Sequence, residues 1–175
     1  MRAKVIKGKT YIFNADGTME DGRVILGYNT PNDYKGGAVS KALTAGVYYF
    51  NESDGSSNGQ MVTGKTTVTK DGEDYYYYFD SKTGRAITNV VKDGVVYGPD
   101  GERIDAEDGN SNAIVTLDEA VAYSKAANGV IPAGSEVIVS STGKLRTSGT
   151  VKVDGVKYKV NTNKNGKWGV DVVED

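Results

Sequence analysis

Apolar and polar residues alternate along most of the chain in short runs that glycine-bearing turns interrupt. Tyr11 and Phe13, Tyr48 and Phe50, Tyr77 and Phe79, and Tyr158 and Val160 are each two residues apart. In an extended chain such partners point to one side, so each pair predicts a strand with one apolar face. Asn14, Asn51, Asp80 and Asn161 follow these pairs and start turns that a glycine closes. Met19, Met61, Leu145 and Trp168 then bring an apolar side chain back on a second strand. The recurring unit is strand, tight turn, strand.

Six copies of this unit are legible. The first four lie near residues 8–22, 46–64, 71–89 and 93–104, the last two near 137–149 and 153–169. The bare unit is about 20 residues, and two stretches interrupt the row. Val24–Ala45 carries Tyr28, Pro31 and Tyr34 and a candidate short helix over Gly37–Leu43. Asp105–Ser135 opens as a polar loop, Asp105–Asn112, and then reads as a helix. Thr116-Leu-Asp-Glu119 has the form of a capping box; Leu117, Ala120, Val121 and Ser124 follow at helical spacing, and Asn128-Gly129 is a fitting stop. The expected organisation is hairpin repeats over 1–104, an insertion over 105–135 with a helix at 117–127, and further hairpin repeats over 136–175. An isolated hairpin is marginal in water, so the copies must stack or pair. The predicted fold is mainly β: repeated β-hairpins in a short solenoid or meander, with one α-helix in an insertion.

Composition sharpens this picture. Eleven of the 23 glycines follow Asp or Asn, the strongest short-range hairpin signal. Of the 16 aromatic residues, 12 are tyrosine, which suits a wet-surfaced β protein and argues against disorder. The chain has no Cys and no His, which removes thiol nucleophiles, histidine-based acid–base pairs, most zinc sites and disulfides. The formal charge is −2, against the basic patch of a nucleic-acid binder. No apolar run approaches the ~18 residues of a membrane-spanning helix. No signal peptide is visible ahead of the first strand, so the chain is expected to be a piece of a longer, secreted or surface-attached protein.

The phrase Gly-Lys-x-Tyr-x-Phe-Asn-x-Asp-Gly-x-Met-x-x-Gly resembles the cell-wall-binding repeat of choline-binding type found in Gram-positive surface proteins. It is also similar to the repeats of glucan-binding proteins and of the receptor-binding end of large clostridial toxins. Tyr11-Ile-Phe13-Asn14-Ala15-Asp16-Gly17, Tyr48-Tyr49-Phe50-Asn51 and Tyr77-Tyr78-Phe79-Asp80 carry the likeness best. It covers roughly 5–104 and 137–170. The resemblance implies a non-catalytic module that attaches a larger protein to cell-wall polymer or host glycan at the cell surface. Choline-type members begin the unit with Gly-Trp, and that Trp helps cage a quaternary ammonium. Here the matching pairs are Gly22-Arg23, Gly64-Lys65 and Gly149-Thr150, and Trp168 falls at an inward apolar position.

The candidate chemistry lies in the tyrosines. A glycan-contacting set would draw on Tyr11, Tyr48, Tyr49, Tyr76, Tyr78 and Tyr97, because tyrosine combines an apolar face with a hydrogen-bonding tip. Tyr75 to Tyr78 alternate sides, so two at most share a ligand; Tyr77 and Phe79 take the inward register, leaving Tyr76 and Tyr78 outward. The same tyrosines could instead serve cross-strand packing in a structural spacer or adhesin segment without a small ligand. A third reading is an accessory module of a carbohydrate-active enzyme whose catalysis resides elsewhere in the parent chain. Asp105, Glu107 and Asp108 do not fit a calcium-loop register and are expected to be a solvated linker. No Gly-x-Ser-x-Gly elbow or Gly-x-Gly-x-x-Gly loop is present, and the acidic residues mostly sit in turns. No catalytic residue, metal or cofactor is expected.

Overall fold

The structure, a computed structural model, describes residues 1–32 and 39–174. Among these the regular elements are strands and one turn of 3-10 helix at Ala127–Gly129. The chain forms two compact units, Met1–Ile87 and Thr88–Asp175.

In the first unit, β1 (Arg2–Ile6) and β2 (Lys9–Phe13) make a hairpin, and β3 (Met19–Glu20) returns beside β2. β4 (Gly22–Leu26) leaves this sheet, and β5 (Val39–Lys41) covers the free edge of β1. β6 (Gly46–Phe50) pairs with β4, and β7 (Gly64–Lys70) with β8 (Glu73–Phe79). The second unit holds β9 (Val90–Lys92), β10 (Val95–Tyr97), β11 (Asn112–Thr116), β12 (Val121–Ala122), β13 (Val130–Ile131) and β14 (Glu136–Ser140). It ends in a three-stranded meander, β15 (Thr150–Val153), β16 (Val156–Lys164) and β17 (Lys167–Val172).

The repeats share one register. A key residue at or next to the end of each strand faces the returning residue of its own copy: Phe13 with Met19, Phe50 with Met61, Phe79 with Ala86, Tyr97 with Arg103 and Val139 with Leu145. The closing glycine of one copy then stands opposite the key residue of a later copy: Gly22 opposite Phe50, Gly64 opposite Phe79. Likewise the Val160 amide donates to the Gly149 carbonyl. Returning amides also reach the preceding copy. Met61 N–H donates to the Thr10 carbonyl at 2.8 Å, Ala86 to Val47 at 2.8 Å and Leu145 to Gly94 at 2.9 Å. Each copy therefore satisfies backbone groups of its neighbour, which makes a stacked row of copies one to three and another of four and five.

Side chains repeat the same step. Met19 lies over Gly59 of the next copy, Met61 over Gly84, and Arg103 over Gly143. A Cβ at Gly59 or Gly84 would overlap the methionine sulfur, so bare backbone at these positions is what lets the copies close up.

The cores follow the units. Ala3, Ile12, Val24, Leu26, Leu43, Tyr48 and Phe50 pack together, and Val68, Tyr77, Phe79 and Ala86 form a second cluster in the same unit. In the other unit Val96, Leu117, Val121, Ile131, Val137, Val139 and Trp168 form one core. Copy one reverses the expected face: Thr10 and Ile12 are buried, and Tyr11 and Phe13 are half-exposed. Both faces of β2 are apolar, so alternation alone leaves the choice open. Ala3 lies opposite Ile12 and is small enough to admit it to the core, while Lys4 Nζ sits 5.2 Å over the Phe13 ring on the other side.

The expected helix over 117–127 is not formed. Thr116 ends β11, the Leu117 N–H donates to the Ser135 carbonyl at 2.8 Å, and Val121 pairs with Ile131 in a sheet. Leu117, just past β11, and Val121, in β12, both reach the core across a bend at 118–119, so their four-residue spacing imitates a helical face. A segment of 11 residues is marginal as a helix in water, and the sheet gives its backbone better partners. The candidate helix over 37–43 is also replaced in part: Val39–Lys41 is β5, paired with β1, whereas 37 and 38 lie outside the described residues.

Candidate functional site

The β7–β8 hairpin presents the most tyrosine-rich surface. Asp71 and Gly72 close it, with φ of 54° and 80°, the left-handed pair that a two-residue turn requires. Alternation then divides the side chains. Val68, Tyr77 and Phe79 are buried on one side. On the other, Tyr76 and Tyr78 stand half-exposed, opposite Thr67 and Lys65. The Thr69 hydroxyl donates to Asp74 Oδ1 at 2.6 Å farther along that face. The outward face thus offers two neighbouring phenols edged by a hydroxyl and an ammonium.

The inward side is a packed aromatic array. Tyr77 and Phe79 stack at 5.4 Å between ring centres and Tyr49 and Phe79 at 6.4 Å. Arg23 donates from Nη1 to the Tyr77 hydroxyl at 2.9 Å, and its guanidinium carbon lies 5.4 Å over the Tyr75 ring. The protein's own cation thus occupies the face of Tyr75, at the Gly22-Arg23 pair where the resemblance expects Trp. An aromatic cage for a quaternary ammonium needs rings open to the ligand. The Tyr49 hydroxyl donates to Glu52 Oε2 at 2.8 Å. Burial, aided by the Glu52 carboxylate, pushes this phenol up to about 12. Asp21, Arg23, Glu52 and Lys70 line a cleft of about 220 Å³ nearby, with charges of both signs.

The other tyrosines are dispersed. Tyr48 is 1% exposed and donates its hydroxyl to the Thr44 carbonyl at 2.9 Å; Tyr97 is 3% exposed. Both rings face the core of their units. Tyr11 is half-exposed on β2, opposite Lys4 of β1. Of the six sequence candidates, only Tyr76 and Tyr78 share one strand face. Asp105 is engaged by Arg103 through an ion pair at 2.8 Å. Among the described residues no group of three or more acidic side chains could hold a metal ion.

The second unit contains a cleft of about 530 Å³ that sequence reasoning missed, lined among others by Tyr123, Asn128, Asn163 and Trp168. Trp168 is buried in the core, as its place in the repeat phrase predicts, and the exposed polar residues of the lining carry no repeat signal.

No protein-family model matches the chain. No curated protein matches it. Among solved structures it is similar to the modular autolysin LytC of Streptococcus pneumoniae, at 17% identity and a TM-score of 0.35 over 95% of this chain and 33% of that one. It is similar to choline binding protein F of Streptococcus pneumoniae at 17% identity and a TM-score of 0.32, over 91% of this chain and 62% of that one. CbpJ of Streptococcus pneumoniae TIGR4 aligns at 16% identity and a TM-score of 0.21, over 95% and 80% of the two chains. The chain spans about a third of the length of the first and under two thirds of the second. A likeness at this level carries no residue role or ligand across.

Proposed function

We propose that this chain is a non-catalytic repeat module of a Gram-positive cell surface that binds a cell-wall polymer or host glycan. The observation that carries the reading is the outward face of β7–β8, where Tyr76 and Tyr78 stand side by side next to Thr67 and Lys65. Phenol rings can lie against the apolar faces of sugar rings, while hydroxyl and ammonium groups take up sugar oxygens. The repeat phrase supports a surface setting, and the absence of His and Cys supports a binding role over catalysis. Tyr49 and Tyr11 are secondary contacts in this proposal. Tyr48 and Tyr97 serve packing.

The test is sedimentation of the protein with purified Gram-positive cell walls. The Tyr76→Ala, Tyr78→Ala double variant, checked to be folded at the assay temperature, is expected to lose retention by about tenfold or more, the scale of two stacking contacts. Undiminished retention would remove this face from the proposal.

A structural spacer is the second reading, and the stacked Tyr49, Tyr77 and Phe79 rings favour it. It expects no retention on cell walls from folded protein and no saturable binding of wall fragments.

A further inference from the structure

We propose that the cleft of the second unit is a separate saccharide site, suited to a pyranose bearing an acetamido group. Trp168 is among its lining residues and is otherwise packed in the core, the residue being 7% exposed. Its backbone N–H donates to Ser135 Oγ at 3.1 Å, and Tyr123 meets its ring edge-on at 6.0 Å and 74°. Tyr123 is half-exposed and so offers aromatic surface to the cleft. Val130, 40% exposed, supplies an apolar edge.

The rim is polar and preformed. Asn128 is held in a left-handed turn at φ 58°. The Asn163 backbone N–H donates to Asn161 Oδ1 at 3.0 Å, which fixes the approach to the β16–β17 turn. Both side-chain amides, with the Thr147 and Thr162 hydroxyls, line the cleft and are left to solvent. Each amide both donates and accepts, which matches hydroxyl and acetamido groups. The one charged residue of the lining is Lys125, and no carboxylate is present there. Lys125 repels a quaternary ammonium, and Trp168, 7% exposed, offers little open ring face to cage one, so the chemistry favours neutral or anionic sugars. The volume, about 530 Å³, lies within the ordinary range for small-ligand sites. An aromatic surface, here that of the half-exposed Tyr123, with a few converging polar groups is the general form of such sites. This site is independent of the Tyr76–Tyr78 face, which belongs to the first unit.

The chain has a single tryptophan, so its emission reports on this cleft alone. The experiment is titration of the full chain with chitotetraose, exciting tryptophan selectively, with choline chloride as a parallel titrant. A saturable change with chitotetraose and none with choline is expected. Asn163→Ala and Tyr123→Leu are each expected to weaken it about tenfold, the loss of one good contact. Asn163 is exposed, so that variant keeps the fold even where Tyr123→Leu disturbs the core. The Tyr76→Ala, Tyr78→Ala variant should titrate like the wild type. No change in emission from folded protein, or equal affinity in Asn163→Ala and Tyr123→Leu, would overturn the site. An equal response to choline would overturn its ligand class. Cell-wall sedimentation reads the first-unit face separately, so either reading can fail alone.

Discussion

Tyr49 illustrates how far a residue's chemistry depends on its surroundings. Its neutral form is favoured in the fold, first by burial and then by Glu52, so its folded pKa of about 12 stands above the ordinary 10.0. The resulting stabilisation is fully present below about pH 10 and is lost as pH rises through about 12. Glu52→Gln is expected to bring the phenol midpoint back toward 10, measured by ultraviolet titration; an unmoved midpoint would leave burial as the whole cause. Asp80 runs the other way. The amides of Thr83 and Lys82 hold its carboxyl below 3.8. Its contribution is present above that ordinary value and is lost as pH falls through the lower folded one; a carboxyl midpoint at or above 3.8 by NMR would contradict this. Glycines separate two causes of cost. Gly72 has φ 80° with open space around it, whereas Gly59 has φ 76° with Met19 against it. Gly72→Ala is expected to cost about 1 kcal/mol from backbone strain, and Gly59→Ala slightly more, about 1–2 kcal/mol, because the flexible end of Met19, 42% exposed, must also shift. Denaturant melts check this, and adding Met19→Ala to Gly59→Ala should recover the overlap part only.

At the scale of elements, turn chemistry was legible and the insertion was not. Among the described residues five two-residue hairpin turns close with both residues left-handed, and four of them are Asp71-Gly72, Asp93-Gly94, Asp154-Gly155 and Asn165-Gly166, readable because those residue types tolerate positive φ. The fifth, Lys7-Gly8, carries no such signal at Lys7, whose φ is 49°. Thr116-Leu-Asp-Glu119 shows the opposite failure. Its local pattern satisfies a helix start, yet Thr116 ends a strand opposite Glu136, and the Glu119 carboxylate accepts from Asn89 Nδ2 at 2.6 Å. Thr116→Val separates the two arrangements. Loss of a helix cap would cost about 1 kcal/mol, whereas an exposed strand position gains or stays level with a β-branched apolar residue. We expect no loss of melting temperature.

Across the whole molecule, stacking makes the repeats into a fold. Amides such as Met61 and Ala86 donate to the preceding copy, and Met19 and Met61 lie on glycines of the following one. The binding proposed above rests on tyrosine faces and neutral polar groups in a chain of net charge −2. Retention on cell walls is therefore expected to change less than about tenfold between low and physiological salt; a steep fall would mark charge as the main attraction. By itself the sequence determined the hairpin phrase, most of its turns and the outward register of Tyr76 and Tyr78, because two-residue alternation and left-handed turn positions are local properties. Only the tertiary structure decided which face of β2 is buried, that the segment after Thr116 forms bends and a short strand in place of a helix, and that Tyr123, Asn163 and Trp168 share a cleft. Those outcomes depend on partners distant along the chain, such as Ser135 for Leu117 and Trp168, and no local pattern encodes which partner will be there.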